Sequence, residues 1–215
     1  MSQSPPKSDM RVAHGVVFCL LLACGSLVPI FRGWPWLWLA PFLAYFLLGA
    51  CIPRLRRSLD WLQVGRLSGA AFAATVVLAA VTIAVLGAYQ AIAQPDLHGY
   101  HAILPIEALG SVVMAGVVFT VLNATLEEFV FRGVLFEALK ARWGPWLALA
   151  ATTLLFGAGH LRGDPPGPVG AALAALFGLA LGMLRLRTGG LALPIAAHMI
   201  ADATIYCILV HARAI

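Results

Sequence analysis

The sequence predicts an all-α fold, a polytopic membrane helix bundle of about seven transmembrane helices, and three observations carry that expectation. Of the 215 residues, 61% are hydrophobic and only 11% charged, whereas charged residues make up about 25% of an ordinary soluble domain. The apolar residues gather into runs of the length a helix needs to cross the hydrocarbon core, about 20 residues. Breaker residues punctuate those runs, as in Arg32-Gly33-Trp34-Pro35, Gly163-Asp164-Pro165-Pro166-Gly167 and Thr188-Gly189-Gly190. No connection is long enough to hold a soluble domain. Residues 1–215 are therefore expected to form a single integral membrane domain, without internal repeats or low-complexity tracts.

In chain order the spans are expected at 12–30, 34–52, 67–93, 106–126 with an amphipathic continuation to 141, 146–161, 169–186 and 191–210. The first follows a basic start and contains Leu21-Leu22-Ala23-Cys24-Gly25, which a signal peptide with a lipid-attachment cysteine would also show. Its apolar continuation to Ile30, without a polar stretch, favours a retained span. The second opens on Trp34, Trp36 and Trp38, which an aromatic belt at the bilayer interface explains. Cys19, Cys24, Cys51 and Cys207 show no CxxC pairing and lie in apolar runs, where a cysteine acts as a small buried hydrophobe. His14, His98, His101 and His211 lie near span ends and need no functional account.

The formal net charge of +5 does not point to nucleic acid, because the cations lie in short connections between apolar runs rather than on one face of a domain. Alternating connections assign Lys7, Arg11, Arg54, Arg56, Arg57, Arg66, Lys140, Arg142, Arg185 and Arg187 to one side, and Arg32, Arg162 and Arg213 to the other. Cytoplasmic connections carry the excess of Lys and Arg, so the amino terminus is expected in the cytoplasm and the carboxyl terminus outside. The connection 94–105, which has neither Lys nor Arg, fits the outer side. The expected setting is the inner membrane of a bacterium.

The fourth run ends in EEFVFRG, Glu127 to Gly133, and each charge held at a bilayer centre costs about 2.5–3.5 kcal/mol on insertion scales. Residues four apart share a helix face, so Glu128 and Arg132 form a pair in the favourable order while Glu127 points elsewhere, on the face of Asn123 and Phe131. One acid is paired and one is free to take a proton from water. Two further polar groups interrupt apolar spans. Phe156-Gly157-Ala158-Gly159-His160 sets a ring and an imidazole one turn apart, with small residues that allow a close helix approach. His198-Met199-Ile200-Ala201-Asp202 places a carboxylate where it can orient and charge an imidazole. Taken alone, Glu128 with Arg132 is a buried ion pair, and His160 and His198 are packing residues. A free acid, two histidines and an orienting carboxylate on separate spans make one set.

EEFVFR, FGAGH and HMIAD match, in order, the EExxxR, FxxxH and HxxxN/D motifs of the CAAX protease and bacteriocin-processing family, which this region, 123–202, therefore resembles. The resemblance implies an intramembrane glutamic endopeptidase that needs neither cofactor nor metal. It maps water activation to Glu127 with His160, and oxyanion stabilisation to His198 and Asp202. Many relatives carry Asn at the last place, and an ionised Asp would repel an oxyanion, so Asp202 is assigned to charging His198, with the imidazolium as donor. Glu128 and Arg132 then lock the helix that presents Glu127, and Asn123 and Phe156 support the site. The implied partners are the lipid bilayer and a membrane-anchored or lipidated protein or peptide, cut near its carboxyl terminus or its membrane anchor.

Three alternatives compete. Some relatives are sorting-type proteases that trim carboxyl-terminal anchors of exported proteins. Glu127, His160, His198 and Asp202 could instead ligate zinc, although the HExxH spacing of common zinc proteases is absent. Intramembrane Glu, His and Asp also serve transporters, and some relatives are immunity proteins, yet the repeated halves of a transporter are not seen.

Overall fold

The computed structural model describes residues 7–97, 108–163 and 165–214, and among them the regular structure is helical. In chain order the elements are α1 (Lys7–Leu27), α2 (Trp36–Cys51), α3 (Pro53–Arg57), α4 (Gly69–Ala93), α5 (Leu109–Glu128), a π-helical stretch (Phe129–Leu135), α6 (Phe136–Trp143), α7 (Pro145–Gly159), α8 (Gly167–Thr188) and α9 (Ala192–Ala214). Five stretches are long and apolar enough to cross a membrane, Ser8–Leu27, Gly69–Ala93, Leu109–Trp143, Gly167–Thr188 and Ala192–Ala212. The other two expected spans fall on α2 and α7, which are shorter at 16 and 15 residues. The protein is an integral membrane helix bundle. The expected start of the fourth span at 106, the connection from 98 to 105 with His98 and His101, and Asp164 lie outside the described residues.

Local sequence sets the helix ends. Ser68 caps α4 by accepting the Ala71 amide at 3.2 Å, and Pro53 and Pro145 open α3 and α7, where a missing N–H costs nothing. In lipid the chain gains little from burying one apolar helix against another, so close packing must come from small residues. The helices use them in several places, Gly157, Gly116 and Gly15 among them. A Cβ on Gly157 would lie 2.8 Å from the Ala171 carbonyl and the Ala175 side chain of α8. One on Gly116 would lie 2.7 Å from the Tyr206 ring of α9, and one on Gly15 2.6 Å from Ala138 of α6.

The buried centre is aromatic and surrounds the π-helical stretch. Phe129 packs against Phe18, Phe42, Tyr45, Phe46 and Trp61, with ring centroids 4.9 to 5.9 Å apart. Such pairs each contribute about 0.5–1.5 kcal/mol beyond their area, and here they fix the backbone immediately after Glu128. His14, placed by sequence at a span end without a role, is buried in this region. It makes hydrogen bonds to the Tyr45 hydroxyl through Nδ1 at 2.6 Å and to Ser58 through Nε2 at 2.8 Å. The four cysteines are free and exposed, not buried as expected, because their helix faces point outward.

One end of the bundle is stapled. The segment after α3 pairs with the α8–α9 connection through Arg66 N–H to Thr188 O at 2.8 Å, Leu191 N–H to Gln63 O at 2.9 Å and Ala192 N–H to Val64 O at 3.2 Å. Gly65, at φ +91°, meets Gly190 so closely that a Cβ on Gly190 would lie 2.1 Å from the Gly65 nitrogen. At the same end the buried Glu137 of α6 accepts Arg11 at 2.9 Å, Lys140 at 2.9 Å and Arg185 at 3.2 Å, and Arg185 also donates to Trp61 O at 2.9 Å. These residues belong to the basic connections counted in the sequence. This end is called the basic end below.

Candidate active site

The sequence EEFVFRG does not continue as a plain α-helix. The chain widens into π-helical turns from Phe129 to Leu135, directly after the two glutamates, and such expansions are frequent at functional sites. Glu128 and Arg132 still meet. The guanidinium donates from Nη1 to Glu128 Oε1 at 2.7 Å, and both side chains are almost fully buried. Arg132 also donates from Nη2 to Gly178 O at 3.0 Å and stacks on the Phe156 ring, its Cζ 4.4 Å from the centroid. Gly178 makes this possible, because a Cβ there would lie 2.9 Å from Arg132 Nη2 and 3.0 Å from Phe156.

Glu128 does more than hold Arg132. Its Oε1 lies 2.8 Å from His198 Nδ1, so one carboxylate oxygen takes both a guanidinium and an imidazole. Sequence spacing could not reveal this contact, since 70 positions separate the two residues. Asp202, expected from its i, i+4 position to orient His198, stands further off, with Oδ1 3.6 Å from His198 Nε2. That same Nε2 lies 3.7 Å from Glu127 Oε2. The imidazole is thus fixed at Nδ1 by Glu128 and directs Nε2 between the carboxylates of Glu127 and Asp202. Its faces meet the edges of Phe156 and Phe177, at centroid distances of 5.9 and 5.5 Å.

Glu127 and Glu128 differ in what they accept. Glu127 Oε2 is buried without a hydrogen-bond partner, and Glu128 has one oxygen doubly used and one unused. Asn123, one turn before Glu127, donates from Nδ2 to Asp202 Oδ2 at 3.2 Å and accepts at Oδ1 from Trp34 Nε1 at 3.1 Å. Trp34 is therefore tied to the site as well as standing half exposed at the bundle surface. Sequence reasoning placed it only in an aromatic belt; no spacing rule links a loop tryptophan to an amide 89 positions away.

His160 closes α7. Its Nδ1 bonds the Phe156 carbonyl at 2.8 Å, and its ring lies over Phe156 at a centroid distance of 4.4 Å. No hydrogen bond or ion pair joins it to Glu127 among the described residues; the two approach the site from different helices, with Phe156 and His198 between them. His160, His198 and Asp202 line a cavity of about 310 Å³ together with Thr82, Phe156, Pro165 and apolar residues of α4, α8 and α9; Glu127 is not among its lining residues. Among the described residues, no three His, Cys, Asp or Glu side chains are arranged to hold a metal ion.

The arrangement joins an acceptor without a donor, an imidazole nitrogen facing it, a second imidazole beyond the Phe156 ring and a guanidinium that balances one of the carboxylates. It can bind and deprotonate a small polar molecule and place donors on a developing negative charge.

Comparison with known proteins bears on the same region. An uncharacterized 24.3 kDa protein of Escherichia coli is 33% identical over 97 residues, which is 43% of this chain and 43% of that protein. The match thus spans less than half the length of that relative. No solved structure matches. Residues 108–204, which include Asn123, Glu127, Glu128, Arg132, Phe156, His160, His198 and Asp202, match the family described as type II CAAX prenyl endopeptidase Rce1-like. The family matched over these residues is the CAAX protease and bacteriocin-processing family expected from the motifs.

Proposed function

We propose that the protein is an intramembrane glutamic endopeptidase that cuts a membrane-associated protein near its carboxyl terminus or membrane anchor. The observation that carries this reading is the buried Glu127 oxygen that has no donor, set 3.7 Å from His198 Nε2. A buried acceptor left unpaired costs about 1–3 kcal/mol, and a site retains such a cost where the group has work to do. In the reaction Glu127 takes a proton from water and the resulting hydroxide adds to the peptide carbonyl carbon. The carbonyl oxygen becomes an oxyanion that His198, held at Nδ1 by Glu128, stabilises from Nε2. As the intermediate collapses, the carbon–nitrogen bond breaks and the proton passes to the departing amine. His160, which lines the same cavity as His198 and Asp202, assists by orienting water, and Asp202, held by Asn123, balances the imidazolium.

The test compares the carboxyl termini of membrane proteins in cells carrying the active protein with those carrying Glu127→Gln. New termini that depend on Glu127 are the expected result. Identical sets of termini, with both proteins at equal abundance, would overturn the reading.

A further inference from the structure

We propose that the connection between α2 and α4, residues 52–67, is a binding surface for anionic phospholipid, with arginines for the headgroup phosphate and apolar side chains beside them for the acyl chains. The proposal depends neither on the endopeptidase reading above nor on which side of the membrane the basic end occupies.

The connection is held to the bundle at every third residue. Leu55 and Trp61 are buried, and the Ser58 hydroxyl between them lies 2.8 Å from His14 Nε2. The Trp61 carbonyl accepts Arg185 Nη2 at 2.9 Å, and its ring packs on His14 and Phe129 at centroid distances of 6.2 and 5.7 Å. Further along, the staple to the α8–α9 connection fixes residues 63–66. With these groups turned inward, the rest of the connection faces away from the bundle. Arg54, Arg56 and Arg57 are exposed there, and so are Leu62, Val64 and Leu67, at 41%, 62% and 64%.

The cations of the basic end are of two kinds. Arg11, Lys140 and Arg185 share Glu137. Arg54, Arg56 and Arg57 have no ion pair and no side-chain hydrogen bond among the described residues. The acid of the connection itself, Asp60, lies 3.6 Å from Arg11 instead.

Water would satisfy the three arginines and would not satisfy Leu62, Val64 and Leu67. A phospholipid satisfies both, because its phosphate accepts guanidinium hydrogens in pairs and its chains cover the apolar side chains. A zwitterionic headgroup brings a cation of its own, which three unpaired guanidinium groups repel, so the favoured lipid carries a net negative charge. The connection also touches the frame of the candidate site. A Cβ on Gly133, the residue after Arg132, would lie 2.7 Å from the Trp61 ring, so lipid that steadies residues 52–67 steadies the π-helical turns as well.

The test titrates the full-length protein, in a neutral detergent, with phosphatidylglycerol or with phosphatidylcholine of the same acyl chains, and counts bound lipid by native mass spectrometry. Phosphatidylglycerol is expected to bind more tightly, and Arg54→Gln, Arg56→Gln and Arg57→Gln should each weaken it about fivefold. Arg142→Gln, which removes an exposed cation of α6 at the same end, should leave that binding unchanged. Equal binding of the two lipids would overturn the anionic class. Undiminished phosphatidylglycerol binding in all three single variants, or an equal loss in Arg142→Gln, would overturn the site. Inorganic phosphate at the concentration of the lipid separates a headgroup from a free anion: no displacement is expected, and displacement would overturn the lipid. Hydrogen exchange of the unsubstituted protein gives a reading that needs no variant. Phosphatidylglycerol should slow exchange across residues 52–67, and protection confined to other segments would overturn the proposal.

Discussion

Two buried glutamates on one continuous helical path, Glu127 and Glu137, lie ten positions apart and have opposite surroundings. Glu137 is saturated, with Arg11, Lys140 and Arg185 on its two oxygens. Glu127 has a buried oxygen with no donor, and its nearest cationic partner, His198, stands at 3.7 Å. Both would be counted alike as costly intramembrane charges. The difference teaches that burial alone does not distinguish two carboxylates; the partners of their oxygens do. Glu137 ties α1, α6 and α8 together at the basic end, where Arg11, Lys140 and Arg185 occupy both of its oxygens. Glu127 retains a buried oxygen with no donor, as the proposed base requires.

Substitution at the two glutamates should separate these roles. The largest effect is expected from Glu127→Gln, which should lower peptide hydrolysis by about 10²- to 10⁴-fold, the usual contribution of a general base, while the thermal unfolding midpoint in detergent stays put. Retention of activity would erase the contrast at its source. Glu137→Gln should behave the other way, losing about 3–5 kcal/mol of stability because partners such as the buried Arg185 lose their counter-charge. Activity per folded molecule, measured by active-site titration below the melting range, should change by less than about threefold, under 1 kcal/mol. Arg132→Ala tests the intermediate case, since it uncovers Glu128 while Glu128 still holds His198; stability and activity should fall together.

Smaller effects sharpen the comparison within the site. Asp202→Asn should cost about tenfold in kcat, because Asn123 remains available to the new amide and Glu128 still fixes His198 Nδ1. His198→Ala measured in parallel should be far worse, and equal losses would give Asp202 chemistry of its own. Trp34→Phe removes one donor from Asn123, and a single hydrogen bond is worth about 0.5–1.5 kcal/mol. A loss of roughly two- to tenfold in kcat, with KM unchanged, is expected; a change confined to KM would make Trp34 a substrate contact instead.

Much of this was legible in the sequence, and the limits are physical. The apolar runs located the helices because hydrocarbon length imposes a minimum that composition reveals directly. The Glu128–Arg132 pair was legible because i, i+4 spacing is local. The bond from Glu128 to His198 was not, and it displaced Asp202 from the orienting role that spacing alone suggested. Local rules rank partners within one helix and are silent on partners from another. The same limit hid the burial of His14 between Tyr45 and Ser58, and the tie from Trp34 to Asn123. The cysteines failed differently. An apolar run in lipid does not tell which of its faces is turned outward, so a buried and an exposed cysteine look the same.

The helices are of unequal length, and the bilayer has to answer for it. At about 1.5 Å per residue, the 25 residues of α4 extend about 37 Å while the 16 of α2 extend about 24 Å, against a hydrocarbon core of about 30 Å. Long helices accommodate by leaning, but a short one draws the lipid boundary inward, at a cost of fractions of a kcal/mol for each ångström. The lipids bordering α2 are therefore thinned, and they border the connection whose Trp34 reaches Asn123. In thicker membranes that connection bears the mismatch together with the ends of α7, which has only 15 residues. Turnover should then decline as acyl chains lengthen, with every catalytic side chain intact.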